Sequence, residues 1–359
     1  DYLQALSLNT MALIYSRNWL PLKARVWSEE ALSLFRQLDE PRGIGLALTQ
    51  VAEARRRTAS LLIGEAQLLR ADHSSTRLPL SQLAISRAER DFQIATDLLS
   101  EAEEIFSEPD PALRHQPATV RDVKRAPELV RRLEVVTERA ALYRDWSTVR
   151  GEGASGEKYQ AALHALDAVI SLTQPVQHQP DEPPVDDYAK FRLAALVNKA
   201  GLYQRARDHE AVKATLVAAE LLIEPGYRLN KDRPLELNPT EVKEVFFREL
   251  GRIESIRAAF ELDIEDDEPE IRHYVLAMTY FQLYSPFEMP YLSLARRRLS
   301  TLLDYLRESY GSDAQLRDII SAVIRDYHLL TLTDYFTARD DLFQNGPRTS
   351  LAVQLLLNT

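Results

Sequence analysis

A chain of 359 residues, 45% hydrophobic and 27% charged, is long enough for two ordinary domains or one extended repeat array. It contains no cysteine, which excludes a disulfide framework and thiolate metal sites and fits a reducing, cytoplasmic setting. A formal charge of -10 opposes bulk attraction to nucleic acid or anionic lipid, and no apolar run approaches the roughly 18 residues that a membrane span needs.

Glycine is scarce, at 11 residues, and Leu, Ala, Glu and Arg dominate, so the chain reads as almost entirely helical. It starts at Asp1 already inside a helical pattern, which reads as a piece of a longer protein. In the first predicted helix Leu8, Ala12 and Tyr15 share one face at i, i+4, i+7. The pattern returns as Leu48 and Ala52 with Arg55 in the tyrosine position, as Val136, Ala140 and Tyr143, as Leu196, Ala200 and Tyr203, and as His273, Ala277 and Tyr280. The small residue admits a neighbouring helix to the backbone, and the ring one turn later fills the groove beside it.

Each of these helices is followed by a second with small residues seven apart: Ala24 and Ala31, Ala95 and Ala102, Ala161 and Ala168, Ala211 and Ala218, and more weakly Ala295 with Leu302. Seven residues are two turns, so both members of a pair should face the same neighbour. Turn formers predict breaks at 71–82, 107–122, 147–157, 173–187, 224–239 and 263–270, with the Gly-rich 147–157 mobile and the Pro-rich 173–187 a linker. Beyond 312, helical periodicity continues without the small-residue positions, as a capping segment would.

Helix pairs of this kind resemble the tetratricopeptide repeat, a helix–turn–helix of about 34 residues. The resemblance is best over 5–54, good over 130–172 and 190–225, and looser over 271–307. It implies an all-α, right-handed superhelix of about five degenerate pairs. The organisation expected is repeats over 1–172, a Pro-rich loop over 173–187, further repeats over 188–307 and capping helices over 308–359, in one continuous solenoid. Some members of the family clamp a partner's C-terminal carboxylate with an asparagine just after the small residue. Here those positions are Leu13, Glu53, Ala141, Gly201 and Met278, so that subclass is disfavoured.

Positions four and five beyond each small residue are expected to point into the concave groove. They read Ser16–Arg17, Arg56–Arg57, Arg144–Asp145, Gln204–Arg205 and Phe281–Gln282. Stacked, Arg17, Arg56, Arg57, Arg144 and Arg205 with Gln204 would form a basic strip suited to carboxylates or phosphates. The competing reading is that cations simply favour helix C-termini.

The run Glu261 to Glu270 holds seven carboxylates in ten residues and looks at a glance like an aspartate-rich diphosphate motif, but Pro269 breaks the helical phasing such a motif needs. It reads as a solvated loop. None of the seven histidines has metal-ligand spacing. Gly43 and Gly45 lie at dinucleotide-loop spacing but follow no strand, and read as a helix start after Pro41. The aromatic run 273–294 reads as helix core.

The function expected is therefore a non-catalytic protein-interaction or ligand-sensing module, similar in style to the sensor arrays of large bacterial signalling proteins. Its partner would be a protein or peptide of acidic character, with no cofactor, no metal and no membrane; nucleic acid is disfavoured and oligomeric state is open. The alternatives are a constitutive scaffold subunit and an all-α enzyme built on the acidic loop.

Overall fold

The structure, a computed structural model of the chain, describes residues 1–18, 20–71, 78–107, 118–174, 188–230, 232, 244–263, 267–284, 300–301, 304, 313–327 and 329. Among these there are eleven α-helices, one 3-10 turn and no strand. The helices are α1 (Tyr2–Arg17), α2 (Pro21–Gln37), α3 (Pro41–Ala71), α4 (Leu78–Ser107), α5 (Ala118–Arg150), α6 (Glu157–Leu172), α7 (Ala189–Arg205), α8 (His209–Glu220), α9 (Glu244–Asp263), α10 (Asp267–Tyr284) and α11 (Asp313–Asp326). None of the described helices is long and apolar enough to cross a membrane. The chain divides into two compact units, Asp1–Gln174 and Pro175–Thr359.

In the first unit each helix packs on the next, and the odd members also pack on each other, α1 on α3 and α3 on α5. The second unit repeats the scheme: α7 packs on α8 and on α9, α9 on α10, and α10 on α11. The tight connections share one device. Asp39 (φ 50), Gly151 (φ 62) and Arg207 (φ 58) are left-handed. The next N–H in each case bonds back five residues, from Glu40 to Phe35, Glu152 to Ser147 and Asp208 to Tyr203. This closes the helix end and reverses the chain. Pro21 and Pro41 then open α2 and α3, where a missing N–H costs nothing.

The alanines Ala12, Ala52, Ala140, Ala200 and Ala277 are all buried. Gly43 and Gly45 serve close packing inside α3: a Cβ at Gly43 would run into the Phe35 ring, and one at Gly45 would meet the Phe106 ring at 2.7 Å.

Several expectations need correction. In α6 and α8 the buried stripe is one residue out of phase with the predicted alanine pairs. Ala162, Leu166 and Val169, and Val212, Leu216 and Ala219, face the core, while Ala168 and Ala218 are exposed. Those positions allow larger aliphatic side chains, so small size was not the criterion. The five-pair scheme also had no place for α9. This helix packs on α7 as a first helix should and takes α10 as its partner, so Ala277 belongs to a second helix. Phe281 accordingly does not point into a groove: it is buried, and its ring lies against Gly251, where a Cβ would come within 2.7 Å.

The segment 147–157 is a structured turn. α5 runs on to Arg150, and Glu152 accepts from the N–H groups of Lys158 (2.7 Å) and Tyr159 (3.2 Å), capping α6. Residues 78–82, 118–122 and 267–270 are helical rather than loop, and Glu270 of the acidic run is buried rather than solvated. Pro269 falls in the first turn of α10, where it is tolerated, and of the aromatic run Tyr274, Tyr280 and Phe281 are core. The segments 175–187, 233–243 and 331–359, with Asp266, Phe287, Tyr291 and Ala295, lie outside the described residues.

Candidate functional site

Successive residues of a helix point about 100° apart, so three in a row face three directions. α3 uses this at Arg55, Arg56 and Arg57, because it has neighbours on three sides. Arg55 reaches Glu29 of α2 (2.8 Å) and Asp91 of α4 (2.7 Å). Arg56 faces α5, donating Nη1 to Asp145 Oδ2 (2.6 Å) and binding both oxygens of Glu138. Arg57 faces α1, donating Nη1 to the carbonyl oxygen of Ser16 (2.7 Å) and pairing with Glu53 at 2.5 Å. The Ser16 hydroxyl donates to Glu53 as well (2.9 Å). The Ser16 carbonyl is among the last four of α1, which have no partner within their own helix, so Arg57 caps α1 from the neighbouring helix.

α5 completes this seam. Arg144 pairs with Asp145 at 2.8 Å, and the Ser60 hydroxyl donates to the same carboxylate at 3.4 Å. Burial works against the charge of Asp145, but Arg144 and Arg56 more than offset it and bring its pKa from 3.8 down to about 2. Burial also opposes the charge on Arg56, yet Glu138 and Asp145 hold its pKa well above the ordinary value. For Glu138 burial wins over the attraction of Arg56, and its pKa is raised. The three arginines are thus brought together, but in company with Glu53, Glu138 and Asp145, so this face of the first unit is charge-compensated rather than a basic strip.

The remaining predicted positions fall elsewhere. Arg17 ends α1, and its side chain is outside the described ones. Gln204 and Arg205 end α7 in the second unit, half-buried and exposed respectively. The tyrosines play different parts. Tyr15 stacks on Trp27 (centroids 6.4 Å apart), while Tyr143 and Tyr203 each lie under a lysine, Lys158 and Lys199, at 5.7 Å. Tyr280 is buried and accepts a hydrogen bond from the N–H of Leu229 (2.7 Å), and burial pushes its pKa up.

Sequence reasoning missed three uncharged groups on the same helices. Asn9 Oδ1, Gln50 Oε1 and Thr137 Oγ1 are buried and make no hydrogen bond among the described residues. Asn9 and Thr137 stand three residues before the buried alanines Ala12 and Ala140, and Gln50 stands two before Ala52. No common spacing from the alanines marks them in the sequence.

The second unit has a comparable seam centred on α9. Glu249 is fully buried between Arg248 (2.6 Å) and Arg252 (2.8 Å), and Arg252 also donates to Asn198 of α7 (2.6 Å). Burial disfavours the Glu249 carboxylate, but Arg252 and Arg248 lower its pKa overall. Arg257 reaches Glu220 at the end of α8 (2.8 Å), and Glu254 meets His273 of α10 (2.6 Å). No group of three or more potential metal ligands occurs among the described residues. No protein-family model matches the chain, and neither curated proteins nor solved structures gave a match.

Proposed function

We propose that the chain is a non-catalytic interaction module of the tetratricopeptide-like kind, a superhelical array whose first helices offer a common face to an extended partner segment. The packing of α1 on α3 and of α3 on α5, in addition to each helix on its successor, supports an array of this type. Such arrays expose a long surface at little cost, because each repeat contacts mainly its neighbours.

The observation that carries the reading is the set Asn9, Gln50 and Thr137. A buried polar atom without a partner costs about 1–3 kcal/mol, and α1, α3 and α5 each carry one near the buried alanine. Two are amide oxygens and the third is a hydroxyl that can also accept, and each residue is only half-buried, so a turn of the side chain brings its oxygen to the surface. An extended segment supplies main-chain N–H donors at regular intervals, whereas the arginines beside this set already have carboxylates. The partner is therefore recognised through its backbone, and acidic character is not required of it.

The test uses peptides selected from a random library against the wild-type chain. Gln50→Leu and Thr137→Val remove the orphaned acceptors while conserving volume. Both variants should unfold at a higher temperature than wild type and bind the selected peptides at least about tenfold more weakly, since a peptide N–H would then be left unpaired. Unchanged affinity, or a library that yields no binder, would refute the reading.

A further inference from the structure

The first helix pair presents a second surface on α2. Leu22 (63% exposed) and Val26 (61%) lie one turn apart on its outer side. With Tyr15, Lys23 and Trp27 they border an open cleft of about 420 Å³. Met11 and Ile14, exposed on α1, extend this apolar area, because Met11 precedes Tyr15 by one turn. Covering these side chains would remove apolar surface from water.

The charges on the same ridge indicate what covers it. Lys23 and Glu30 are both exposed, and neither takes part in an ion pair among the described residues, whereas Arg25 and Glu29 of the same helix are engaged with each other and with α3 and α4. The midpoint between Lys23 and Glu30 falls between Val26 and Trp27, at the apolar centre. A two-fold axis through that point, with α2 running antiparallel to α2 of a second copy, sets each Lys23 opposite Glu30 of the other copy. Val26 and Trp27 then meet their counterparts. Such a two-fold interface requires a self-complementary patch, and one with lysine at one end, glutamate at the other and apolar groups between satisfies it.

We infer that the outer ridge of α2, centred on Val26, is a homodimer interface that pairs Lys23 of one copy with Glu30 of the other. The apolar centre supplies the affinity, and the two charge pairs set the register. Lys23 now rests over the Tyr15 ring at 5.7 Å, an arrangement that leaves its ammonium group at the edge of the cleft.

The experiment is sedimentation equilibrium on the full chain. Wild type should give twice the monomer mass. K23E and E30K alone should each weaken association at least about tenfold, by placing like charges across the axis. An equimolar mixture of the two single variants should form mixed dimers, because every facing pair is then opposite in charge, and the double variant K23E/E30K should dimerise as wild type does. V26D should be monomeric in every combination, with helicity by circular dichroism confirming that it folds. A monomeric wild-type chain, a dimer indifferent to the single changes, or a mixture that fails to associate would each overturn the inference, including the case in which a different protein covers the ridge.

Discussion

Arg56 shows how much of the molecule can depend on one side chain. Its guanidinium has Glu138 on one edge and Asp145 on the other, and removing one member of such a buried set leaves charge uncompensated. The two carboxylates respond to acid in opposite ways. Asp145 has a folded pKa of about 2, below its unfolded 3.8, so it contributes stability above the unfolded value that is lost as pH falls through the folded one. Glu138 has a raised folded pKa, so its ionised form opposes folding and that penalty disappears as pH falls. Glu249 of the second unit behaves as Asp145 does. Asp145→Asn should therefore cost about 2 kcal/mol at neutral pH, with the gap from wild type closing as pH is lowered toward about 2. Glu138→Gln should cost less at neutral pH than Asp145→Asn. Urea unfolding of the three proteins across this range checks the order, and a gap for Asp145→Asn that does not change with pH would contradict it.

At the scale of the helix, the sequence made the apolar periodicity legible and hid the choice of small residue. Leu8, Ala12 and Tyr15 mark α1 because alanine is easy to see in such a pattern. Phe247, Gly251 and Glu254 mark α9 with the same spacing, but with glycine in the middle and a carboxylate in place of the ring. Without alanine or tyrosine that helix does not show in the pattern, and the helices after it pair one step out of the expected phase. The turns were illegible for a related reason: Asp39 and Arg207 adopt the same left-handed conformation as Gly151, and only the glycine signals it in sequence. The arginine positions are visible, and so are Glu53 and Asp145 as residues that could neutralise them, but Glu138 lies more than eighty residues from Arg56 and outside the strip positions, beyond the reach of local pattern. Gly251 and Gly64 now separate packing from propensity. A Cβ at Gly251 would strike the Phe281 ring at 2.7 Å, while one at Gly64 of α3 meets nothing within 4 Å. Gly251→Ala should destabilise by about 1–3 kcal/mol through overpacking. Gly64→Ala should stabilise by about 0.5–1 kcal/mol through helix propensity alone. Thermal unfolding of both variants decides this, and shifts of the same sign would show that the Gly251 contact is not close-packed.

Across the whole molecule the two units are built on one plan with separate means. The first has a core running from Ala5 to Trp146, and the second a core from Leu193 to Leu329. Each has a central helix, α3 or α9, whose charged residues tie several neighbours to it. Contacts in such an array are mainly between successive elements, so a cut that respects the plan should leave a folded remainder, and a cut through a charge seam should not. A fragment comprising residues 1–174 keeps α1 to α6 and the ion pairs that join them. It should be helical, unfold cooperatively, and show the same dependence on Asp145→Asn as the full chain. A fragment ending at residue 117 keeps α3 and Arg56 but loses Glu138 and Asp145 with α5, along with Leu142 and Trp146 of the core. Without α5 the apolar sides of α3 and α4 that Leu142 and Trp146 cover are bared to water, and each large apolar side chain so exposed forgoes about 1.5–3 kcal/mol, a large part of the stability of a domain this size. That shorter fragment should be largely unfolded by circular dichroism. Equal stability of the two fragments would mean that α3 is held by its neighbours on the α1, α2 and α4 sides and that the seam with α5 adds nothing.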